Sequence, residues 1–365
     1  MKNKENKTAC LLFAGFLFTG GLLCLCLPKS EYSYTERRRL SSIPELSAES
    51  VWSGRFMSDF ENYAADTFPV RDTFRTIKAL AAEGIFHRLD HNGIYAADGY
   101  LAAMEYPMQI QSLHHAANRF RYLCEAFLTD ENRVYLSVIP DKNCFLAKNH
   151  GRLCMDYAEF EKSMAKLSDF AEYIKISDLL ELDDYYRTDP HWRQEKIVDV
   201  ANRLAQSMGA PLAADGLGAH TVCHSFYGVY YGQAALPFAP DTLRYLTNET
   251  IERCQVYDWQ NQKEILVYDM EKAAGRDAYE MFLSGALSLI TMESPSAQTG
   301  RRLVLFRDSF GSSIAPLLLG GYDKITLVDI RYIHPQLLEK LVDFEGCDVL
   351  FLYSTLVLNH SDTLK

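Results

Sequence analysis

The sequence has few features that would connect it to a metal, a redox couple or a nucleic acid. None of its nine cysteines is spaced as C-x-x-C, which argues against a zinc site and against a thioredoxin-type motif. Basic residues are also outnumbered, with 37 Lys and Arg against 48 Asp and Glu. The formal net charge is -11, and an acidic chain is poorly suited to neutralising nucleic-acid phosphates. We therefore expect no metal site and no nucleic-acid partner.

A long hydrophobic run is present at the N-terminus. Residues 8–27 (TACLLFAGFLFTGGLLCLCL) carry no charge, and a run of this length matches a hydrocarbon core of roughly 30 Å. The lysines of residues 1–7 favour a cytoplasmic tail before it, and no small-residue cleavage site follows it. We predict an uncleaved transmembrane anchor with the body of the protein outside the cytoplasm. The alternative is a cleaved signal peptide, which also places the body outside.

The cysteines outside this run leave the disulfide question open. Free thiols are unusual in an oxidising compartment. However, Cys124 in the segment FRYLCEAF has the surroundings of a core residue, and buried free cysteine is common.

The remaining chain is 48% hydrophobic and is predicted to form a large core. Residues 28–85 are predicted to be a linker followed by two helices that Pro69 separates. The α/β domain is predicted at 86–365, with an insertion around 209–300 and a hairpin at 93–104. Its strands are predicted at 133–139, 173–176, 264–270, 302–306, 324–330 and 348–353. Its helices are predicted at 156–170, 192–208, 311–319 and 334–342. Apolar strands that alternate with helices indicate a mostly parallel sheet covered on both faces.

The first chemical motif is RLVLFRDSFG, residues 302–311. A predicted strand runs into Ser309, and a helix follows. A serine at the carboxyl end of a parallel strand is well placed to attack a carbonyl, and nearby backbone N–H groups can hold the oxyanion. The alternative is that Ser309 only caps the helix.

The second motif is TDPHW, residues 188–192. Asp189 suits a helix N-cap and Pro190 suits the first helical position, so one interpretation is a capped helix with an incidental histidine. The other is that Asp189 orients His191, which takes the proton of Ser309. Two residues this close cannot lie side by side on a regular helix, but they can converge where a loop meets a helix. Flanking residues that we expect to support such a site are Trp192, Asp308 and Phe310.

Together the two motifs resemble the DHHW family of bacterial surface proteins, which is related to the SGNH-hydrolase-like alginate O-acetyltransferases. Other segments resemble the family in the same order over residues 35–355: WSGRFMSDFENYAADTFPVR (52–71), IYAADGYL (94–101), VIPDK (138–142), FYGVYY (226–231) and LVDIRY (327–332). The resemblance implies an SGNH-hydrolase-like three-layer α/β fold and a catalytic triad of Ser309, His191 and Asp189.

The chain departs from the family pattern at two positions. Pro190 replaces the first histidine of D-H-H-W, a position that varies among the acetyltransferase relatives. Ala286 stands where the family often has an asparagine, at the end of YEMFLSGA (279–286). If that asparagine belongs to the oxyanion hole, only backbone N–H groups remain here, and a weak or inactive enzyme becomes an alternative.

The resemblance also implies a function and its partners. We expect O-acetylation of a cell-wall or exported polysaccharide outside the membrane, without a cofactor, with acetyl groups supplied by a membrane-bound O-acyltransferase. The alternatives are an inactive polysaccharide-binding or scaffold protein and a carbohydrate acetylesterase. Lys142 and Arg331 are candidate contacts for an acidic sugar, or else structural ion pairs or solvated charges. His224 is expected to have a surface role.

Overall fold

The structure is a computed structural model that describes residues 2–210, 212 and 216–365. Met1, in the predicted tail, and residues 211 and 213–215, in the predicted insertion, lie outside the described residues. The chain divides into two compact units. The first holds the residues up to His91 together with Gly232–Pro237, and the second holds Asn92–Tyr231 and Phe238–Lys365.

The first unit begins with one long apolar helix and contains three short amphipathic ones. Its elements are α1 (Lys2–Cys26), β1 (Tyr32–Ser33), β2 (Arg38–Arg39), α2 (Ala48–Trp52), α3 (Arg55–Asp66) and α4 (Arg71–Gly84). The segment Lys7–Cys24 of α1 is long and apolar enough to cross a membrane. The prediction of two helices after the linker is wrong, because a capping box at Ser47 starts the additional helix α2.

The rest of the chain supplies twelve strands and ten helices within the described residues. The strands are β3 (Ile94–Ala97), β4 (Tyr100–Ala103), β5 (Arg133–Ile139), β6 (Glu172–Tyr173), β7 (Gly218–Phe226), β8 (Asp241–Thr247), β9 (Gln255–Asp258), β10 (Lys263–Ile265), β11 (Leu289–Glu293), β12 (Arg302–Arg307), β13 (Lys324–Val328) and β14 (Asp348–Ser354). The helices are α5 (Ile110–Phe127), α6 (Asn143–Leu146), α7 (Tyr157–Leu167), α8 (Val198–Ser207), α9 (Val229–Ala234), α10 (Glu249–Glu252), α11 (Met270–Ala273), α12 (Gly311–Ile314), α13 (Leu338–Leu341) and α14 (Thr355–Leu358).

A sheet of eight strands dominates the second unit, in the order β10-β9-β11-β13-β12-β14-β5-β6. The five strands from β13 to β6 are mutually parallel, and β11, β9 and β10 continue the sheet in antiparallel pairs. The predicted mixed α/β architecture with a large, mostly parallel sheet is therefore confirmed. The hairpin β3–β4 also forms where the sequence predicts it.

Both faces of this sheet are buried. Along β12, Leu303 and Leu305 belong to one hydrophobic core, whereas Val304 and Phe306 belong to the other. Because side chains alternate across a strand, a continuous apolar strand fills both cores at once. This double burial fixes the position of the residues that follow β12.

Several predicted elements have different bounds. The strand predicted at 173–176 is limited to Glu172–Tyr173, and the one predicted at 264–270 to Lys263–Ile265. The helices predicted at 311–319 and 334–342 are each a single α-helical turn joined to a 3-10 turn. The helix predicted from residue 192 begins at Val198, for a reason that the site explains.

Candidate active site

The site lies where parallel strands of the sheet reach their carboxyl ends. Beyond β12, the carboxylate of Asp308 accepts the backbone N–H of Phe310 at 3.0 Å through Oδ1. Its Oδ2 accepts the N–H of Ser354, at the end of the adjacent strand β14, at 2.8 Å. Asp308 thus holds the turn that carries Ser309 against the neighbouring strand.

The three predicted triad side chains lie in one hydrogen-bonded chain. The Oγ of Ser309 is 2.7 Å from Nε2 of His191, and Nδ1 of His191 is 2.6 Å from Oδ1 of Asp189. Since a carboxylate only accepts, the Nδ1 atom of His191 carries a proton, and Nε2 is the ring nitrogen that faces the serine hydroxyl. Asp189 is fully buried, whereas Ser309 is partly exposed. This is the geometry of a serine activated by a base that a third group orients.

TDPHW lies in an irregular loop, not at the start of a helix. The sequence-based interpretation of Asp189 as an N-cap and Pro190 as the first helical residue is therefore wrong. Trp192 pairs with Tyr185 in an isolated antiparallel bridge, and a 3-10 turn separates it from α8. The backbone N–H of His191 donates to Oδ1 of Asp189 at 3.1 Å, so the chain folds back and brings both side chains together.

The FYGVYY segment holds Asp189 from the other side. The backbone N–H of Val229 donates to Oδ2 of Asp189 at 3.1 Å. Gly228 packs so closely that a Cβ there would lie 2.2 Å from the Cβ of Asp189. Only glycine leaves room for this approach, so Gly228 allows the FYGVYY segment to pack directly against Asp189.

Asp241 anchors the loop just before Asp189. Its carboxylate accepts the N–H groups of Arg187 and Thr188 at 2.8 and 2.9 Å and the hydroxyl of Thr188 at 2.6 Å. The Thr188 hydroxyl in turn accepts the N–H of Gly228 at 2.9 Å. Sequence reasoning missed Asp241, which stands in no motif, and this network joins the two segments that hold Asp189.

Lys142 lies behind the same loop and is buried. Its Nζ donates to the carbonyl oxygens of Tyr186 and Arg187 at 2.8 and 3.2 Å. Burial lowers the pKa of Lys142 to about 7, although the charges of Asp189 and Asp241 oppose this shift. The interpretations of Lys142 as a sugar contact or a solvated charge are therefore wrong.

Aromatic rings enclose His191. The ring of Tyr279 stacks on the imidazole with centroids 3.8 Å apart and planes 7° apart, and Phe310 lies 4.8 Å away. The hydroxyl of Ser313 accepts the indole N–H of Trp192 at 2.8 Å and lies 2.9 Å from the hydroxyl of Tyr279. The predicted supporting residues Trp192 and Phe310 are thus at the site. Tyr279 and Ser313 were missed, although Tyr279 opens the 279–286 block.

Ala286 offers no side-chain donor. It is exposed and follows a turn in which Leu283, Ser284 and Gly285 have positive φ. The amides after the serine are also engaged, because Phe310 donates to the carboxylate of Asp308 and Gly311 donates to its carbonyl oxygen.

The other candidates lie in local contacts. Arg331 donates twice to Asp329, at 2.9 and 2.7 Å, which is the predicted structural ion pair. His224 is exposed and lies 3.3 Å from the hydroxyl of Thr242.

The nine cysteines are free. Among the described residues, no group of three or more His, Cys, Asp or Glu side chains suits a metal ion.

The fold is similar to those of known bacterial proteins. A DHHW family protein from Eubacterium siraeum has a TM-score of 0.61 and 18% identity, over 75% of this chain and 95% of that chain. PatB1 from Bacillus cereus, solved with a sulfonyl adduct, has a TM-score of 0.57 and 19% identity, over 74% of this chain and 99% of that chain.

The O-acetyltransferase domain of AlgJ from Pseudomonas putida is more distant, with a TM-score of 0.44 and 12% identity over 73% of this chain and 92% of that chain. No family model and no curated protein matches the sequence. The neighbours thus include a DHHW family protein, in agreement with the resemblance that the sequence motifs indicate. The first two show a shared fold.

Proposed function

We propose that this protein is an extracytoplasmic acyltransferase that uses Ser309, His191 and Asp189 to O-acetylate a polysaccharide. The observation that carries the proposal is the hydrogen-bonded chain from Ser309 Oγ through His191 to the buried carboxylate of Asp189. A serine that only capped a helix would need no histidine at 2.7 Å.

The reaction follows from this geometry in two halves. Ser309 Oγ attacks the acetyl carbonyl while Nε2 of His191 takes its proton, and the imidazolium is stabilised by Asp189. The intermediate collapses, His191 protonates the leaving oxygen, and an acetyl-serine remains. A sugar hydroxyl then attacks the acetyl-serine as His191 takes its proton. Collapse of the second intermediate returns that proton to Ser309 Oγ and releases the acetylated sugar.

Few backbone donors are available for the oxyanion. Phe310 and Gly311 already donate to Asp308, so we assign the oxyanion to the backbone N–H of Ser309. Losing one oxyanion donor typically costs ~10²–10³ in rate. We therefore expect slow turnover. The same observation favours the second candidate function, a catalytically silent polysaccharide-binding or scaffold protein.

The shared fold with a DHHW family protein supports the assignment. PatB1, with the same fold, has been solved with a sulfonyl adduct, and sulfonyl reagents trap activated nucleophiles.

We further propose that the second unit has the three-layer SGNH-hydrolase-like architecture. In the same proposal, α1 is an uncleaved anchor with residues 1–7 in the cytoplasm, and a membrane-bound O-acyltransferase supplies the acetyl groups.

Hydrolysis of p-nitrophenyl acetate tests the nucleophile. We expect a burst of p-nitrophenol from the wild-type protein and none from Ser309→Ala. Ser312→Ala is the control, since its buried hydroxyl lies in the next turn and outside the hydrogen-bonded chain. A burst that persists in Ser309→Ala would show that another group is the nucleophile, and no burst in the wild type would favour the silent scaffold.

A second measurement separates transfer from hydrolysis. With an acceptor oligosaccharide present, mass spectrometry is expected to detect an acetylated product that depends on Ser309. Release of acetate alone, with no gain of acetyl mass on the acceptor, would identify a carbohydrate acetylesterase.

A further inference from the structure

Helix α3 and the end of α2 leave a large apolar surface exposed. Trp52 is 95% exposed, Met57 58% and Phe60 43%. In α3 itself, Asp66 is the only buried residue. The apolar side of an amphipathic helix normally faces a core, and an isolated helix of this length is marginal in water. This surface therefore fits an apolar environment that the described residues of the chain do not provide.

The surface is mainly aromatic. Phe56, Phe60 and Tyr63 follow one another at helical spacing, with ring centroids 6.0 and 6.2 Å apart. We define the aromatic face as Trp52, Phe56, Met57, Phe60 and Tyr63. Tryptophan and tyrosine are enriched where a membrane meets water, and helices with such a face lie in the plane of the interface.

A contact with the residues after α1 places this face near the end of the long apolar helix. The ammonium group of Lys29 lies 4.6 Å from the ring centroid of Tyr63 and hydrogen-bonds to its hydroxyl. Lys29 follows α1, which ends at Cys26. The segment Lys7–Cys24 has 18 residues and is about 27 Å long at ~1.5 Å per residue. If it spans the membrane, Lys29 and Tyr63 lie at the level of the lipid headgroups.

We infer that the aromatic face lies in the outer-leaflet interface of the membrane that α1 spans. This inference rests on the proposed anchor but not on the proposed chemistry. A lipid surface fits better than a protein partner, because the Lys29–Tyr63 contact ties α3 to the end of the span whether or not another protein is present. The interfacial helix would hold the first unit against the membrane.

Fluorescence of Trp52 tests the inference in the full-length protein. The chain has three tryptophans. The background variant is Trp259→Phe, which leaves Trp52 and the fully buried Trp192. The protein is placed in nanodiscs of phosphatidylglycerol and phosphatidylethanolamine, with or without bromine atoms high on the acyl chains. We expect bromination to cause a loss of emission that disappears when Trp52→Phe is added to the background.

A charge in the face provides the second arm. Phe60→Glu is expected to reduce the quenching, whereas Ser58→Glu, on an exposed and polar position of the same helix, should preserve it. Co-elution of the protein with the nanodisc reports the insertion of α1 separately. A protein that does not insert is thus distinguished from one that inserts while its aromatic face stays in water. Insertion without quenching in pure lipid would overturn the inference and indicate that a protein partner covers the face. Equal effects of Phe60→Glu and Ser58→Glu would also overturn it, because the aromatic side of the helix would then be no closer to the lipid than the polar side.

Discussion

Single side chains hold the imidazole of His191 from three directions. Asp189 binds Nδ1, Ser309 lies against Nε2, and the ring of Tyr279 covers one face. The hydroxyl of Tyr279 is itself fixed by Ser313 at 2.9 Å. A histidine that acts as a base must keep its ring from rotating, so that Nε2 stays directed at the serine hydroxyl. The stacked tyrosine is therefore a positioning residue in the proposed mechanism.

Replacing Tyr279 tests this role. Tyr279→Leu removes the flat ring, so the imidazole can turn away from Ser309, and we expect the burst rate to fall by up to ~10²-fold, as for a misplacement of about 1 Å. Tyr279→Phe keeps the stack, loses only the hydroxyl contact and should retain most of the rate. Thermal unfolding of both variants checks the fold. Equal losses in the two variants would assign the effect to the hydroxyl and contradict the stacking role.

The residues themselves were only partly predictable. Ser309, His191 and Asp189 stand in short motifs, so their meeting was a definite expectation, and their catalytic roles remain a prediction. Asp241 and Ser313 act through contacts between segments distant in sequence, and no local pattern marks them. Lys142 was misread because a lysine is normally solvated, and its burial against the carbonyls of Tyr186 and Arg187 is a tertiary property.

At the scale of elements, the loop that carries TDPHW is shaped by its surroundings. Its sequence has good signals for a helix start, yet the bridge between Tyr185 and Trp192 and the bond from Trp192 to Ser313 keep the backbone irregular. The strands were predictable because burial on both faces makes them continuously apolar. The loop was not, because tertiary contacts override local preference.

Gly228 shows how tightly two elements meet at this loop. A methyl group there would lie 2.2 Å from the Cβ of Asp189, so Gly228→Ala must separate FYGVYY from the loop. We expect ~10²-fold or greater loss of burst rate from a displacement of about 1 Å, together with a lower unfolding temperature. Gly218→Ala is the matched control, since its new methyl would meet nothing closer than 3.5 Å. Full activity in Gly228→Ala would show that the close approach is dispensable.

At the scale of the whole molecule, buried titratable groups make the free energy of unfolding depend on pH. Burial lowers the pKa of Lys142 from 10.5 to about 7. Below pH 7 the folded and unfolded chains both carry this proton, and the buried charge lowers the free energy of unfolding. Between pH 7 and pH 10.5 the unfolded chain binds more protons than the folded protein, so the free energy of unfolding rises with pH. Burial also raises the pKa of the Cys124 and Cys254 thiols from 9.0 to about 12. These groups act in the opposite direction above pH 9.0, where the unfolded chain loses their protons first.

The two signs together predict a maximum in stability on the alkaline side of neutrality. The free energy of unfolding should rise from pH 7 to pH 9, because Lys142 is neutral in the folded protein and still charged in the unfolded chain. It should fall above pH 9, because the two thiols that ionise in the unfolded chain outweigh the single lysine. Urea titrations of the full-length protein in detergent and reductant, followed by circular dichroism, measure this curve. Lys142→Met should abolish the rise, because methionine carries no charge to desolvate, and should be more stable than the wild type near pH 7. A rise that persists in Lys142→Met would assign it to another group.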